Sequence, residues 1–444
     1  MEEVMNITRR TFLGTTTPAA LGAGLSVARS WKTVRAAERG ANERIRMGAI
    51  GTANRGGQII EAALAHPEVE FVALCDVQAS AMDKWAAALP GQVDRYSDYR
   101  KLIERNDIDA VLIATPDHWH ALQCVDACHA GKDVYVEKPL SITIAEGRRM
   151  IEVARETRRI VQVGLHRRSS PLFFKAEEAV KTGELGKVSV GTAYRISNMF
   201  PDGIGKCQPC DPPPDLDWDM WLGPRAMLPY QPNITPYKFR WWKDYSSQIG
   251  NWGVHYFDLM RWLTGEEAPA VVTAHGGRYV VDDDRTIPDT MQVTFEFASG
   301  WLMVFGQYEA SGNNAFPKHG MIELRGTKGA MYVTDRGYEI VPATGGQFQD
   351  PQPRIPPVEY KVPGNNQNHT ELHMRNFLDC IKSRQRPTCD VEEGHKSTVF
   401  AHLANIAMDM RTRIEWDSAA ERITNNTEAN TMLDYEYRAP WKLG

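Results

Sequence analysis

The chain has 444 residues, which gives room for two or three domains of ordinary size. Hydrophobic residues make up 42% and charged residues 24%, so neither wholesale disorder nor a fibrous repeat is expected. The 51 Lys and Arg against 56 Asp and Glu give a net charge of −5, which lacks the basic excess of nucleic-acid-binding proteins and predicts no nucleic-acid partner. No apolar run reaches the roughly 18 residues that a bilayer span needs.

The first 37 residues have the pattern of an export signal. Arg9 and Arg10 precede Phe12 and Leu13, a weakly apolar stretch follows over residues 15–27, and the segment ends in small residues near Ala37. Paired arginines in this position are typical of the twin-arginine type, which carries folded proteins across a membrane. The alternative is an Arg-rich helix start. The signal interpretation predicts a periplasmic protein that meets the twin-arginine translocase during export.

A glycine-rich turn follows the first predicted strand. Residues 46–50 form a short apolar strand pattern, Gly48, Gly51 and Gly56 follow in sequence, and residues 58–65 have a helical pattern. A strand, a glycine turn and a helix start direct backbone N–H groups and the positive end of the helix dipole toward a diphosphate. The spacing departs from the strict G-x-G-x-x-G pattern, so this turn alone is a weak signal.

The next elements strengthen the interpretation as a nucleotide-binding unit. A second strand, 70–75, ends at Asp76, where a carboxylate could accept the adenosine ribose hydroxyls and would repel a 2′-phosphate; this favours NAD over NADP. The alternative is a surface aspartate in a turn. Further strands at 109–114 and 133–136, with a helix at 120–130 between them, predict a parallel sheet with covered faces.

The second half of the chain predicts sheet followed by helices. The alternating strand patterns cover residues 270–273, 290–297, 301–308, 320–324 and 331–334, and the helical patterns cover 369–383 and 394–411. A Pro- and Gln-rich stretch over 344–363 predicts a long loop.

Several short motifs now occur together in one order. The chain resembles the glucose–fructose oxidoreductase / inositol dehydrogenase / rhizopine-catabolism (Gfo/Idh/MocA) family from about residue 44 to its carboxyl end, through the following features: the turn from Gly48 to Gly56, Asp76, Thr115-Pro116 with His120, Gly131-Lys132, and Glu137-Lys138-Pro139. The resemblance implies an α/β protein with a Rossmann domain over 44–166 and a substrate-binding domain over 167–444. The second domain would contain a large, mostly antiparallel sheet with an open face, through which we expect a homo-oligomer.

The motifs and the resemblance together predict the cofactor contacts. We expect NAD, and less readily NADP, to be bound by Gly51, Thr52, Ala53, Asn54, Arg55, Gly56, Asp76, Thr115, Pro116, His118, His120, Glu137 and Lys138.

Lys138 is the first predicted catalytic residue. Oxidation of an alcohol by a nicotinamide needs a base for the hydroxyl proton, and Lys138 follows a parallel strand at the end where ligands gather. The resemblance assigns the lysine of the Glu-Lys-Pro motif a position beside nicotinamide and substrate. Burial should lower its pKa toward neutrality. The alternative is a lysine in a surface loop.

A second predicted site runs from residue 250 to residue 258. A helical reading places Asn251, His255 and Asp258 along one face. The family pattern is Asp-x-Gly-x-His-x-x-Asp, with its first Asp and its His at the substrate. Asn251 replaces that Asp and cannot take a proton. His255, with a pKa of about 6.5 if unperturbed, is therefore expected to share the acid/base role with Lys138. Asn251 is expected to orient the reacting groups by hydrogen bonds. The alternative is a core histidine capped by Asp258.

Aromatic residues point to a carbohydrate. Six of the twelve tryptophans lie between residues 218 and 262. Aromatic faces stack on the C–H faces of sugars, although tryptophans also fill cores under large sheets. The predicted substrate contacts are Arg168, Trp241, Trp242, Trp252 and Asp258.

No metal site is expected. Cys207 and Cys210 lack a second cysteine pair, so they are either a small disulfide or two thiols, and seven cysteines are too few for a disulfide scaffold. His369 and His373 have helical spacing but lack the Glu of the zincin pattern.

The predicted compartment limits the reaction. An exported enzyme meets little free nucleotide, so we expect a tightly bound cofactor that regains its redox state each turnover. The leading interpretation is an NAD(P)-dependent oxidoreductase that acts on a secondary hydroxyl of a sugar or sugar derivative. The alternatives are an NAD-dependent glycosidase or lyase that works through a transient keto-sugar, and a non-catalytic sugar-binding protein with a structural dinucleotide.

Overall fold

The computed structural model describes residues 44–313, 315, 321–346, 352–363 and 368–444. The predicted export signal over 1–37 lies outside these residues, and so does Gly320, the first residue of one predicted strand. None of the helices in the described part of the chain combines the length and the apolar character that a bilayer span requires.

The first sheet is entirely parallel, with strand order β3-β2-β1-β4-β5-β6. Its strands are β1 (Ile45–Ile50), β2 (Val69–Cys75), β3 (Asp94–Tyr96), β4 (Ala110–Ile113), β5 (Asp133–Val136) and β6 (Val161–Val163). Its helices are α1 (Asn54–Leu64), α2 (Asp83–Ala88), α3 (Tyr99–Ile103), α4 (His120–His129) and α5 (Ile144–Thr157). Strands β4 and β5 are buried along their whole length, as expected for strands covered on both faces. The strand order reverses at β1, which opens a crevice between β1 and β4 at their carboxyl ends.

The second sheet has the strand order β14-β13-β12-β11-β7-β10-β9-β8-β15-β16. Only β7 and β10 pair in parallel; the other pairs are antiparallel. Its strands are β7 (Val188–Ile196), β8 (Val271–Gly277), β9 (Thr290–Glu296), β10 (Leu302–Tyr308), β11 (Ile322–Gly326), β12 (Gly329–Thr334), β13 (Gly337–Pro342), β14 (Val358–Lys361), β15 (Ile414–Asp417) and β16 (Arg422–Ile423). The remaining helices are α6 (Pro171–Lys181), α7 (Trp218–Leu222), α8 (Val254–Thr264), α9 (His369–Ser383) and α10 (Val391–Met410).

One face of the second sheet carries the largest core. Phe257 of α8 and Phe400 of α10 pack against Phe295 and Phe305 of the strands, with ring centroids 5.1 to 5.9 Å apart. On β9 the residues that face these helices are buried and the alternate residues are only half-buried, so the opposite face of the sheet is partly open. The predicted fold class, a parallel sheet followed by a mostly antiparallel open sheet, is confirmed.

The predicted elements match the strongly patterned segments. Helix α9 has the predicted bounds, and strands β9, β10 and β12 lie within two residues of the predictions. The prediction of a continuous loop over 344–363 was wrong in part, because β14 lies inside it as an edge strand paired with β13. The elements that were not predicted are helices α2, α3, α5, α6 and α7 and strands β3, β6, β7, β13, β15 and β16.

The stretch 197–248, which lies between β7 and the π-helical turn before α8, docks on the first sheet. We call it the excursion. It forms backbone hydrogen bonds beside β2, from Ala79 N to Asp215 O (2.9 Å) and from Asp217 N to Val77 O (2.9 Å). It also accepts a hydrogen bond from Trp119 Nε1 at Trp221 O (2.9 Å). The excursion therefore forms one wall of the crevice at the end of β1.

Candidate active site

A cleft of about 870 Å³ lies between the first sheet and the excursion. We call it the glycine-turn cleft. Its lining residues from the first sheet and its loops include Gly51, Ala53, Asn54, Arg55, Asp76, Gln78, Thr115, Pro116 and Trp119, and those from the excursion are Leu216, Met220, Trp221, Thr235, Pro236, Phe239 and Arg240. The first sheet thus forms one side of the crevice at the end of β1, and the excursion forms the other.

The glycine turn brings backbone close to whatever occupies the cleft. Gly51 has a φ of +83°, which L side chains rarely adopt, and a Cβ there would lie 2.7 Å from the backbone of Ala114. A Cβ on Gly56 would lie 2.0 Å from Gly51 O. Glycine is therefore required at both positions for α1 to begin directly against β1 and to direct its amino end into the cleft.

Asp76 lies at the end of β2 and is fixed by hydrogen bonds. Its Oδ2 accepts from Thr52 N (2.9 Å) and Thr52 Oγ1 (3.2 Å), and its Oδ1 accepts from Gln78 N (3.0 Å). Burial raises the pKa of Asp76, and these donors act against that shift. The carboxylate lines the cleft, where it could accept ribose hydroxyls and would repel a phosphate in the same place.

A second, larger space of about 1150 Å³ continues from the cleft. We call it the lysine cavity. Its lining residues are Asn54, Arg55, Gln58, Ala114, Thr115, Asp117, His120, Glu137, Lys138, His166, Arg167, Tyr237, Arg240, Asn251, Trp252 and His255. Five of them also line the glycine-turn cleft, namely Asn54, Arg55, Ala114, Thr115 and Arg240. The two spaces therefore form one elongated site.

Lys138 projects into this cavity from the loop after β5. Its Nζ donates to Asn251 Oδ1 (2.9 Å) and Asn251 O (3.1 Å). Burial lowers the pKa of Lys138 to about 8, although the charges of Glu137 and Asp117 act in the opposite direction. The lysine can thus change protonation state near neutral pH, which general acid/base work requires.

Asn251 and His255 reach the cavity from a different part of the chain. Asn251 lies in a π-helical turn, Ile249–Gly253, and His255 lies in the first turn of α8. Burial lowers the pKa of His255 well below its usual value, and the charges of Arg167 and Lys138 add to this. The imidazole is therefore neutral at neutral pH, and Lys138 rather than His255 is the group that titrates there.

A buried ion pair fixes the floor of the site. Arg55 Nε donates to Glu137 Oε1 at 2.9 Å. Burial alone would raise the pKa of Glu137, but the charges of Arg55 and Lys138 outweigh it, so the net shift is downward. Gly164 makes room for this carboxylate, because a Cβ there would lie 2.6 Å from Glu137 Oε1.

The other predicted cofactor contacts fall into two groups. Ala53, Asn54, Thr115, Pro116 and His120 line the cleft or the cavity. Three others lie outside both lining sets: Thr52 holds Asp76, Gly56 permits the turn, and His118 is fully buried. The ring of His118 is hydrogen-bonded through Nε2 to Trp221 O (2.9 Å), so we assign it to docking of the excursion.

Of the five predicted substrate contacts, one lines the lysine cavity and four lie outside it. Trp252 lines the lysine cavity, and the guanidinium of Arg195 stacks 3.9 Å from its ring centroid. Trp241 and Trp242 do not line the cavity. The indole N–H of Trp241 donates to Glu309 Oε2, just after β10, and that of Trp242 donates to Asn233 O within the excursion.

Arg168 and Asp258 also lie outside the cavity. The two form a nearly fully buried ion pair with each other, Nε to Oδ1 at 2.8 Å, and Ser397 donates to the same carboxylate oxygen. The ion pair joins the turn after β6 to α8, and the hydroxyl of Ser397 joins α10 to the same carboxylate.

Seven lining residues of the lysine cavity were not among the predicted site residues, namely Gln58, Ala114, Asp117, His166, Arg167, Tyr237 and Arg240. Asp117 and His166 lie between or close to predicted residues, while Tyr237 and Arg240 belong to the excursion, where no motif singled them out. Arg167, which follows His166, lines the cavity and pairs with Asp335 at 3.1 Å.

Cys207, Cys210, His369 and His373 line neither the glycine-turn cleft nor the lysine cavity. All seven cysteines are free, so Cys207 and Cys210 are two thiols and not a disulfide. The ring of His373 is hydrogen-bonded to Val163 O and Ser169 Oγ. Within the described ranges, no group of three or more His, Cys, Asp or Glu is placed to hold a metal ion.

These features fit a dinucleotide. The cleft offers a glycine turn into which no Cβ would fit, a helix amino end, and a fixed carboxylate at the tip of β2. The lysine cavity continues from it past Thr115 and Glu137 to the amine of Lys138. An extended dinucleotide would therefore lie with its ribose at Asp76 and its far end beside Lys138.

Comparisons with known proteins agree with this geometry. Two family models match: the oxidoreductase family with an NAD-binding Rossmann fold over residues 45–165, and the C-terminal alpha/beta domain of the same oxidoreductase family over residues 185–443. A myo-inositol 2-dehydrogenase of Thermotoga maritima is 25% identical over 374 residues, which covers 84% of this chain and 98% of that protein.

Two further matches bear on fold and on reaction. A glycosyl hydrolase family 109 protein of Saccharopolyspora erythraea is 35% identical over 173 residues, but these cover only 34% of this chain and 37% of that protein. The solved structure of a levoglucosan dehydrogenase with NADH and levoglucosan superimposes with a TM-score of 0.64, covering 84% of this chain and 99% of that one, at 18% identity. At this identity the match concerns the fold.

Proposed function

The chain belongs to the Gfo/Idh/MocA family of NAD-binding oxidoreductases, and we propose that it oxidises a secondary hydroxyl of a sugar or sugar derivative with NAD that stays bound. The observation that carries this proposal is the convergence of Lys138, Asn251 and His255 in the cavity that continues from the glycine-turn cleft. Because the family is one of oxidoreductases and a lysine with a lowered pKa lies in the cavity, the non-catalytic interpretation is not retained.

Lys138 is the proposed base. When bound, NAD would accept the hydride that leaves the carbinol carbon. The neutral form of Lys138 takes the hydroxyl proton, and Asn251 aims the amine through two oxygen acceptors at 2.9 and 3.1 Å. The neutral imidazole of His255 hydrogen-bonds the same hydroxyl and fixes its orientation. This differs from the expectation that His255 shares the acid/base role with Lys138, because burial lowers the pKa of His255 and keeps the imidazole uncharged.

A polyhydroxylated substrate is supported by the lining of the cavity. Trp252 offers an aromatic face, and Arg167, Tyr237 and Arg240 offer donors for hydroxyl groups. The Thermotoga maritima relative is named for myo-inositol and the levoglucosan dehydrogenase for an anhydrosugar. We therefore propose a sugar or cyclitol derivative as the substrate class.

Retention of the cofactor is part of the proposal. The excursion supplies seven lining residues of the glycine-turn cleft, so a dinucleotide there would be covered by chain from both sides. Such a cover favours NAD that is loaded once and kept. Such retention is consistent with the export to the periplasm that we propose, because the twin-arginine route moves proteins that are already folded.

The assembly and the domain bounds stay proposals. We propose a Rossmann domain over 44–166, a substrate domain over 167–444, and a homo-oligomer that forms through the half-buried face of the second sheet. Residues Thr290, Gln292 and Thr294 on that face of β9 are partly accessible, whereas Met291, Val293 and Phe295 on the other face are buried. Light scattering on the purified protein gives its mass directly.

Redox-neutral cleavage of a glycoside is the second candidate. The observation that favours it is the 35% identity to a glycosyl hydrolase family 109 protein over 173 residues. In this reaction the oxidised carbon acidifies the neighbouring C–H, a glycosidic substituent leaves, water adds and the ketone is reduced again. Deuterium incorporated from solvent at the neighbouring carbon would favour this candidate over net oxidation.

The test begins with the purified protein and its nucleotide. We expect denaturation to release NAD, and we expect addition of sugars, cyclitols or glycosides to change the near-ultraviolet absorbance of the bound nicotinamide. The Lys138→Met variant should keep the nucleotide and lose turnover by about 10²- to 10⁴-fold. A protein that binds no dinucleotide, or a variant that turns over as fast as wild type, would contradict the proposal.

A further inference from the structure

Residues 434–444 connect the two sides of the glycine-turn cleft from outside it. They follow the short turn Glu428–Leu433, and over this stretch, which the structure describes throughout, they form neither helix nor strand. We call them the C-terminal strap. The partly buried side chains of Tyr437, Trp441 and Leu443 pack against the hydrophobic core of the first sheet. The strap therefore carries the chain from the end of the second sheet onto the first sheet.

Arg438 of the strap caps helix α7 of the excursion. Its Nε donates to Gly223 O (2.9 Å) and its Nη2 to Asp219 O (3.0 Å), while its Nη1 pairs with Asp219 Oδ1 (2.6 Å). Its backbone N–H donates to Pro224 O (2.8 Å). Arginine side chains can hydrogen-bond the last carbonyl oxygens of a helix and complement its dipole. One strap residue therefore holds the carboxyl end of α7 through four hydrogen bonds.

Helix α7 belongs to the wall that the excursion contributes to the glycine-turn cleft. Met220 and Trp221 lie in α7 and line the cleft. Arg225, three residues after this helix, forms a second link to the strap, because its guanidinium lies 4.2 Å from the ring centroid of Tyr435. The strap thus contacts both the end of α7 and the residues that follow it.

Trp441 of the strap supports the opposite wall of the cleft. Its ring packs edge-on against the ring of Trp119, with centroids 4.9 Å apart and an angle of 85° between the planes. The guanidinium of Arg100 lies 4.9 Å from the Trp441 centroid. Trp119 lines the cleft on the side of the first sheet and donates its indole N–H to Trp221 O in α7 (2.9 Å). A chain of contacts therefore runs from the strap through Trp119 to the wall formed by α7.

Tyr437 anchors the strap between these two contacts. Its hydroxyl donates to Glu146 Oε1 (2.5 Å) in the first turn of α5. Glu146 is fully buried, and its Oε2 accepts from Ile142 N (3.0 Å). Leaving a buried carboxylate oxygen without its donor is costly, so the position of Tyr437 is well fixed.

We propose that the C-terminal strap holds α7 against Trp119 and thereby retains the bound dinucleotide, with Arg438 and Trp441 as positioning residues. The inference rests on the proposed retention of NAD. A dinucleotide enclosed between two walls leaves when the walls separate, and the strap opposes this separation because it is bonded to both of them. Among the described residues, no member of the strap lines the cleft or the lysine cavity, so the strap acts through α7 and Trp119.

Arg438→Met tests the contact with the excursion. The variant keeps an unbranched side chain and removes the three hydrogen bonds that the guanidinium donates to Asp219 and Gly223. Protein loaded with NADH should release it about tenfold faster or more, measured from the loss of NADH fluorescence after an excess of NAD is added. Asp219→Asn is the control for the ion pair alone. The Asp219 side chain is 69% exposed, so loss of its charge should change the release rate by less than about twofold.

Trp441→Ala tests the contact with the first sheet, and its release of NADH should also be about tenfold faster. Trp262→Ala is the matched control. Trp262 has the same kinds of neighbour, an edge-on ring from Phe174 at 5.2 Å and a guanidinium from Arg168 at 5.5 Å, but it lines neither the cleft nor the lysine cavity. Its loss should leave the release rate unchanged, even where it lowers the thermal unfolding midpoint as much as Trp441→Ala does.

Reduction of bound NAD separates retention from general loss of structure. Because the strap does not line the lysine cavity, the rate of reduction by substrate in a single turnover should stay at the wild-type value in Arg438→Met and in Trp441→Ala. A variant whose site is distorted would lose reduction together with retention.

The outcomes distinguish the strap from the proposed reaction. A wild-type release rate in either strap variant, or an equal acceleration in Trp262→Ala, overturns the strap. A wild-type protein that holds its nucleotide but reduces it with no sugar, cyclitol or glycoside contradicts the proposed reaction instead. The release rates need no substrate, so they still decide whether the strap retains the dinucleotide.

Discussion

At the scale of single residues, the site depends on the groups that surround the Lys138 amine. Asn251 supplies two oxygens to Nζ without adding a charge. A carboxylate at the same position would favour the ammonium form and raise the pKa of the lysine. Asparagine therefore helps to keep the neutral, basic form of Lys138 available near neutral pH. This is the physical effect of having Asn where the family pattern has Asp.

Asn251→Asp should move the pH profile to higher pH. The base form exists above the pKa of Lys138, so the rate of NAD reduction should rise with pH through about 8 in wild type. An added carboxylate raises that pKa by about 1–3 units, and the rate at neutral pH should fall at least tenfold. The measurement is single-turnover reduction against pH, with a substrate that reduces the bound cofactor.

Asn251→Ser is the control for this change. Serine removes the amide without adding charge, so its midpoint should stay near that of wild type even if its rate falls. An Asp variant with the wild-type midpoint would show that the charge at position 251 does not reach the lysine.

Residue roles were predictable where a motif fixes the backbone. Gly51, Asp76 and Lys138 were expected from spacing at the ends of parallel strands, and the structure places all three along one connected site. Arg168 and Asp258 were expected at the substrate, but they lie 90 residues apart in sequence and neutralise each other. A single sequence shows which residues carry charge but not which of them face each other.

At the scale of elements, the excursion decides how the cofactor is enclosed. Gly223 packs on Trp119, a wall residue of the glycine-turn cleft, and a Cβ on this glycine would lie 2.0 Å from the indole. The excursion has few alternating or helical patterns, so the sequence predicted neither its docking nor its contribution of Tyr237 and Arg240. The sequence predicted Trp241 and Trp242 as sugar contacts, whereas Trp242 donates to Asn233 O within the excursion and Trp241 joins the excursion to Glu309 after β10.

Gly223→Ala should therefore accelerate cofactor release. Overpacking of this kind costs about 1–3 kcal/mol. If this free-energy cost destabilises the docked conformation of the excursion, NADH should dissociate about 5- to 150-fold faster. The dissociation rate is measured from the loss of NADH fluorescence after an excess of competing nucleotide is added.

Gly223 has a φ of +51°. Gly265→Ala is a control for a positive φ without a steric contact. Gly265 also has a positive φ, +78°, but a Cβ there would meet no atom within 4 Å. Equal release rates in the two variants would mean that the contact with Trp119 does not hold the cofactor.

At the scale of the whole molecule, the cofactor joins parts that are distant in sequence. The glycine-turn cleft takes its walls from the first sheet and from the excursion between β7 and α8, so bound NAD would stabilise both together. Chain order and strand alternation predicted the two sheets. The enclosure depends on long-range docking that no local pattern encodes. Under the proposed export, a protein closed in this way would take up NAD before it crosses the membrane.

Replacement of the paired arginines tests this order of events. With Arg9→Lys and Arg10→Lys, the protein should remain inside the cell, because the twin-arginine translocase requires that pair. Cell fractionation should find wild type in the periplasm with NAD bound, and the double variant in the cytoplasm with the same nucleotide content. If wild type reaches the periplasm in cells without this translocase, or arrives there without nucleotide, the cofactor is not carried across inside a folded protein.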